Sequence, residues 1–267
     1  MNTIKKLADM TGNVSLITGG AGYIGSAICE SLAELGSDIV IIDNNENNGL
    51  KKKETIESEY GVSVLYINTD LSNVEDIQKI PKIVLKVFSS IDVLINCAAL
   101  GGTSPLKGWT TSFETQSVES WNKALDINLT AAFALTQACS NNLRESNTGS
   151  VINIGSIYGL VGPDMRIYKG TTMGNPAAYA ASKGGIIQLT RYLATVLAPD
   201  VRVNSITPGG VWRNQPESFV HQYERRTPLQ RMATEEDFKG AALYLASNLS
   251  AYVTGHNLVV DGGWTVW

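Results

Sequence analysis

A chain of 267 residues, 43% of them hydrophobic, is long enough for one α/β domain with a large core, although two small domains are not excluded by length alone. Its net charge of -4 and the lack of a long basic block argue against an electrostatic nucleic-acid or membrane surface. Cys29, Cys97 and Cys139 are far apart and the histidines are few, so neither a disulfide framework nor a metal site is suggested.

The N-terminal run MNTIKKLADMTG carries charge but no apolar signal segment, and no stretch approaches the ~20 apolar residues of a membrane span. A soluble, cytoplasmic protein is the expectation. Val14 to Thr18 reads as a short buried strand, followed by Gly19, Gly20, Gly22 and Gly25 and then an apolar-periodic helix through Ile28, Leu32 and Leu35. In that context glycines let the backbone approach a pyrophosphate seated on the helix N-terminus. Outside it they would be a plain turn.

The next strand, Asp38 to Asp43, ends in a carboxylate roughly 20 residues beyond the turn, where it can accept hydrogen bonds from both hydroxyls of an adenosine ribose. A carboxylate there repels a 2′-phosphate, which favours NAD over NADP. Lys51, Lys52 and Lys53 are the counter-indication, but they fall within a helical stretch and read as a solvated face.

Val62 to Thr69 alternates as a third strand and leads to Asp70 and Leu71, a pair that could edge an adenine; a helix cap explains Asp70 almost as well. A helix over 74–88 and a buried strand from Ile91 to Ala99 follow, the strand ending in small residues that leave room for a ligand. Strands and helices alternating this regularly make a parallel sheet with helices on both faces. The loop 101–117, with Trp109, is either part of a substrate mouth or a surface excursion. The next helix carries Trp121, Leu125, Leu129, Phe133 and Leu135 on its apolar side, with Asn128 inside it, facing solvent or making a specific hydrogen bond.

The strand over 149–156 brings Ser156 to the ligand edge, where a hydroxyl can hold a substrate oxygen. A long connection to Pro176, with Arg166 and Lys169, precedes a helix over 177–198. Tyr179 and Lys183, about one turn apart, share a face of that helix. A free phenol has a pKa of ~10, and a neighbouring ammonium lowers it, so the pair can move a proton near neutrality. By itself such a pair is more often an ordinary surface feature, and it is the rest of the chain that reverses this.

The strand over 201–207 leads to Pro208, Gly209, Gly210, Val211 and Trp212. Arg213, Arg225 and Arg226 fall in a segment of little periodicity that is either a lid whose arginines hold an anion or solvated surface. Thr234 to Asp237 opens the last helix in the manner of a capping box, and a strand over 256–261 closes the sheet. One domain over 1–267 accounts for every element, with a substrate loop over 209–233.

Together these residues resemble the short-chain dehydrogenase/reductase family over essentially the whole chain: TGGAGYIG at 18–25, Asp43, Asp70 and Leu71, NCAA at 96–99, Asn128, Ser156, YAASK at 179–183, PGG at 208–210 and YVTGHNLVVDGGW at 252–264. The resemblance implies a Rossmann fold, a doubly wound seven-stranded parallel sheet, and a nicotinamide cofactor; with NAD favoured by Asp43, the expectation is an NAD-dependent oxidoreductase that interconverts a secondary alcohol and a ketone. It implies an Asn128, Ser156, Tyr179 and Lys183 catalytic set. In it Tyr179 is the acid/base, Ser156 polarises the reacting oxygen, Lys183 binds the nicotinamide ribose and lowers the tyrosine pKa, and Asn128 holds a water. The cofactor would lie along Gly19, Gly22, Tyr23, Ile24 and Gly25, with Asp43, Asp70, Leu71, Asn96, Ala98, Ala99, Tyr179, Lys183, Pro208, Gly209 and Val211. A homotetramer is implied in the same way.

Three departures stand out. Cys97 and Ala99 replace the family's NNAG pattern, and Arg213 stands where many relatives have a threonine against the nicotinamide carboxamide. The Ser156-to-Tyr179 spacing is longer than usual, so the segment 163–176 is an insertion at the active-site mouth, and Tyr168 is a rival to Tyr179, though Thr172, not a lysine, lies one turn beyond it. The run PDMRIYKGTTM is similar to relatives from bacterial surface-sugar and nonulosonate pathways. This implies an anionic or polyhydroxylated sugar substrate, with Ser156, Arg166, Lys169, Trp212 and Arg213 as its candidate contacts. Two other readings are a non-catalytic dinucleotide sensor and a sugar epimerase that oxidises its substrate transiently.

Overall fold

The computed structural model describes residues 1–102 and 104–267; Thr103, in the loop that the sequence sets near the mouth, lies outside them. Among the described residues one sheet is built from β1 Val14–Thr18, β2 Asp38–Asp43, β3 Val64–Asn68, β4 Val93–Asn96, β5 Ser150–Ile154, β6 Arg202–Pro208 and β7 Asn257–Val260. Its order is β3-β2-β1-β4-β5-β6-β7, with every neighbouring pair parallel. The chain winds outward from β1 in one direction and from β4 in the other. Their carboxyl ends therefore diverge and open a crevice, the place where such sheets bind ligands.

The helices are α1 Ile4–Ala8, α2 Tyr23–Glu34, α3 Glu46–Tyr60, α4 Val74–Val84, α5 Val118–Leu125, α6 Ala131–Glu145, α7 Ala177–Val196, α8 Glu217–Glu224 and α9 Lys239–Ala246. Parallel strands covered on both faces read as continuous apolar runs, and β1, β4 and β5 are buried along their whole length. One face packs Leu16, Val40 and Leu94 against Ile80, Leu135 and Leu193 of α4, α6 and α7. The other packs Ile17, Ile39 and Ile95 against Ile28, Ile56 and Leu245 of α2, α3 and α9. Lys52 and Lys53 sit on α3 and pair with Glu30 and Glu57, a charged face. No described helix is long and apolar enough to cross a membrane.

Two expectations change. The single apolar stripe through Trp121 and Phe133 does not form: both remain partly exposed, at 37% and 42%. A five-residue π-helical turn, Asp126–Thr130, separates α5 from α6 and shifts the phase between them, so one stripe cannot face inward on both sides. The segment after β6, without clear periodicity, nonetheless contains α8. Its Phe219 and Tyr223 bury against Tyr168 of the 163–176 connection, and Tyr223 stacks on Trp264 at 4.2 Å between ring centroids. The C-terminal Trp264 thus folds back on its own chain, while Trp267 stays exposed.

Candidate active site

The cleft at the carboxyl edge of the sheet, about 930 Å³ in volume, runs from the glycine turn to the aromatic cluster around α8. At its first end Gly19 N donates to Ile42 O, and α2 starts at Tyr23 behind Gly22. A Cβ on Gly25 would lie 2.1 Å from Gly19 O, so no larger residue lets the turn close on its own helix. Thr18 Oγ1 accepts from Cys97 N at 2.9 Å and Ala98 N at 3.1 Å, clamping the end of β4 beside the turn.

Asp43 stands in the cleft at the end of β2, its carboxylate accepting from Ala21 N at 3.1 Å and Asn45 N at 3.0 Å. The carboxylate therefore steadies the glycine turn as well as facing the ligand space. Asp70 and Leu71 also line the cleft. Asp70 is not a helix cap: it accepts from Ser72 N and Oγ, while Asn73 caps α4. Those hydrogen bonds hold its carboxyl below the usual range. Gly22, Tyr23, Ile24, Ala98, Ala99, Pro208, Gly209 and Val211 complete the described lining on this side.

Asn96 is the exception. Strand alternation turns its side chain away from the cleft, where Nδ2 donates to Asn153 Oδ1 at 2.8 Å and Thr136 Oγ1 at 3.2 Å. It joins β4, β5 and α6 and lies outside the ligand space.

The Ser156 side chain caps the turn Ile157–Gly159 at the end of β5 and lies close enough to the Tyr179 hydroxyl to act on its titration. Tyr179 lies on the first turn of α7, and Lys183 follows on the next, its Nζ 5.9 Å from the Tyr179 ring centroid and donating to Ile154 O at 2.7 Å. This close seating needs Gly159, where a Cβ would fall 2.6 Å from the Lys183 backbone. The electrostatics differ from the sequence expectation. Burial raises the Tyr179 pKa above its ordinary value, with Ser156 pulling it partly back, and burial brings Lys183 down to about 8. Desolvation is the largest cause of both shifts.

Asn128 is separated from this trio. It is buried in the π-helical turn, where Oδ1 accepts from Leu100 N at 2.7 Å and Nδ2 donates to Leu100 O and Ser182 Oγ. Its side chain straps the loop after β4 to α7, and its amide is already spent, so it does not face the main cleft as a water-holding group.

Of the substrate candidates, Ser156 and Arg213 line the cleft, while Arg166, Lys169 and Trp212 do not. Arg166 pairs with Asp164 at 2.8 Å, which also binds Arg226 at 2.8 Å, so this charge is spent within the connection and its attachment to the segment after α8. Lys169 points to solvent, and Trp212 is half exposed, its backbone N donating to Ala233 O. Arg213 pairs with Glu235 at 2.6 Å and lies 4.1 Å above the Tyr23 ring, bridging the segment after β6 to the start of α2. Tyr158, Asn175, Phe219 and Tyr223 also line the cleft, with no motif to announce them, and Tyr168 joins them with its hydroxyl 2.7 Å from that of Tyr158.

A family model described as enoyl-(acyl carrier protein) reductase matches residues 19–265. The chain is 32% identical over 257 residues to "Probable galactose dehydrogenase GalD" of Rhizobium meliloti (strain 1021), covering 93% of each chain. Among solved structures, a short chain dehydrogenase from Leptospira borgpetersenii with bound NAD+ is 34% identical, with a TM-score of 0.83 and 99% and 96% of the two chains covered. A gluconate 5-dehydrogenase from Burkholderia cenocepacia J2315, in complex with NADP and tartrate, is 26% identical, with a TM-score of 0.86 and 99% and 100% covered. Fold, cleft and sequence agree, and the chain belongs to the short-chain dehydrogenase/reductase family, as an oxidoreductase acting on CH–OH groups.

Proposed function

We propose that the protein is an NAD-dependent dehydrogenase that interconverts a secondary alcohol and a ketone on a polyhydroxylated sugar derivative. One observation carries this reading: Ser156, Tyr179 and Lys183 are brought together in the cleft wall, Lys183 on the turn of α7 after Tyr179. In the oxidation direction the alcohol O–H gives its proton to Tyr179 as phenolate, and Ser156 donates to the oxygen as it becomes a carbonyl. In reduction Tyr179 returns that proton. The ammonium of Lys183 stabilises the phenolate and would hold the nicotinamide ribose.

The glycine turn, where a Cβ on Gly25 would obstruct the backbone, fits a pyrophosphate, and Asp43 fits the hydroxyls of an adenosine ribose. The Asp43 carboxylate disfavours a 2′-phosphate, which supports NAD over NADP. When bound, the dinucleotide accepts or returns a hydride at its nicotinamide ring.

The raised Tyr179 pKa sets a direction with pH: the resting phenol is protonated, so ketone reduction starts from the prevailing form and alcohol oxidation gains as pH rises. Spectrophotometric NADH assays with a panel of polyols and sugars test the reading. Tyr179→Phe should lower kcat/KM by roughly 10²- to 10⁴-fold with NADH affinity retained, and wild-type protein should bind NAD more tightly than NADP. Normal turnover by Tyr179→Phe would remove Tyr179 as the acid/base. A dinucleotide sensor would have no task for the Ser156, Tyr179 and Lys183 grouping.

A further inference from the structure

Among the described residues the cleft wall holds one buried side-chain oxygen without a partner, Asn175 Oδ1. Asn175 lines the cleft one residue before Pro176, the N-cap of α7, so it is held at the entrance to the helix that carries Tyr179. Its side chain lies beside the Tyr168 hydroxyl, which in turn is 2.7 Å from the Tyr158 hydroxyl. Both tyrosines are pushed above their ordinary pKa, mainly by burial, and so stay neutral. A buried amide oxygen left without a donor is costly, and in a ligand cleft it marks where a ligand supplies the missing hydrogen.

The cations at hand do not suit an anion here. Among the described residues lining the cleft, only Lys183 and Arg213 are cationic. Lys183 donates to Ile154 O, and Arg213 is paired with Glu235 over the Tyr23 ring. A carboxylate only accepts hydrogen bonds and has nothing to offer Oδ1, whereas a hydroxyl donates and accepts at once.

We propose that Asn175, backed by the Tyr168 and Tyr158 hydroxyls, selects the substrate by accepting a hydrogen bond from a hydroxyl of a neutral polyol or sugar, at a carbon other than the one oxidised. This rests on the reading of the cleft as a dehydrogenase site and narrows its substrate to uncharged polyhydroxylated molecules. A site built to bond a hydroxyl rejects molecules that cannot supply it, because the buried acceptor then stays unpaired.

The test is calorimetric titration of xylitol, galactose and gluconate into the protein with NADH present. Wild-type protein should bind xylitol or galactose more tightly than gluconate, and Asn175→Leu should weaken the neutral ligand by roughly 10- to 100-fold. Asn175→Asp, which keeps the acceptor oxygen and the size, should retain that binding within about threefold and guards against a folding defect in the leucine variant. Equal binding by wild-type and Asn175→Leu protein overturns the proposal, as does tighter binding of gluconate or no binding of either neutral ligand. A protein that binds the neutral ligand through Asn175 but reduces NAD with no alcohol keeps this inference and overturns the dehydrogenase reading. Turnover with binding indifferent to Asn175 does the reverse.

Discussion

Lys183 is 3% exposed and carries its ammonium into a wall that would be more stable without a charge. Burial takes its pKa from 10.5 to about 8. Below about 8 the amine is protonated in both the folded and unfolded states, so the whole cost of burying the charge is present; between 8 and 10.5 only the unfolded chain holds the proton, and stability rises with pH. Lys183→Met should therefore abolish turnover yet raise stability at pH 7, by up to ~3 kcal/mol, with the gain shrinking toward pH 10. Urea unfolding of both proteins at the two pH values measures it. A gap independent of pH would mean that the lysine charge is not what strains the fold. The spacing of Tyr179 and Lys183 is legible in the chain because a helix repeats every turn, but the burial that governs both groups is a tertiary property: Ile154 O takes the Lys183 ammonium and the turn at Gly159 closes on its backbone, both distant in sequence.

At the scale of elements, the end of β4 shows how a motif can be read correctly and its side chain placed wrongly. NCAA lies at the cleft edge, and Cys97, Ala98 and Ala99 line it. Asn96 points to the opposite face because neighbouring residues of a strand alternate, and there it bonds Asn153 and Thr136. Asn96→Ala should cost ~1–3 kcal/mol by stranding the Asn153 oxygen, while NADH affinity changes by less than about threefold. Chemical unfolding and a fluorescence titration check the two halves. A large loss of NADH affinity in a stably folded variant would return Asn96 to the cofactor site. The π-helical turn at Asp126–Thr130 is the parallel case among the helices. Apolar spacing predicts one continuous stripe, but Asn128 is needed as a strap between Leu100 and Ser182, and the wider turn breaks the phase.

For the whole molecule, Val118 and Trp121 lie three apart on α5 and remain 73% and 37% exposed, with Phe133 on α6 at 42%. The family expectation of a tetramer gives this apolar surface an occupant, a second copy of the chain. Trp121→Glu should then lower the mass seen by light scattering at micromolar concentration while leaving the secondary structure seen by circular dichroism intact. An unchanged mass, or a wild-type monomer, would count against this face as an interface. Trp264 lies outside this expectation because it is occupied within its own chain, stacked on Tyr223.

By itself the sequence determined what depends on short-range repetition: the alternation of strands and helices, the glycine turn that only a close backbone approach explains, and the one-turn spacing of Tyr179 and Lys183. Tertiary structure alone decided what depends on which distant group arrives first. Asp164 takes the charge of Arg166 and Glu235 that of Arg213, α8 and the 163–176 connection close an aromatic wall over the cleft, and Asn175 is left there with an oxygen to offer. Pairing and burial are properties of neighbours in space. Neither the identity of those neighbours nor the desolvation they impose is written in the order of residues along the chain.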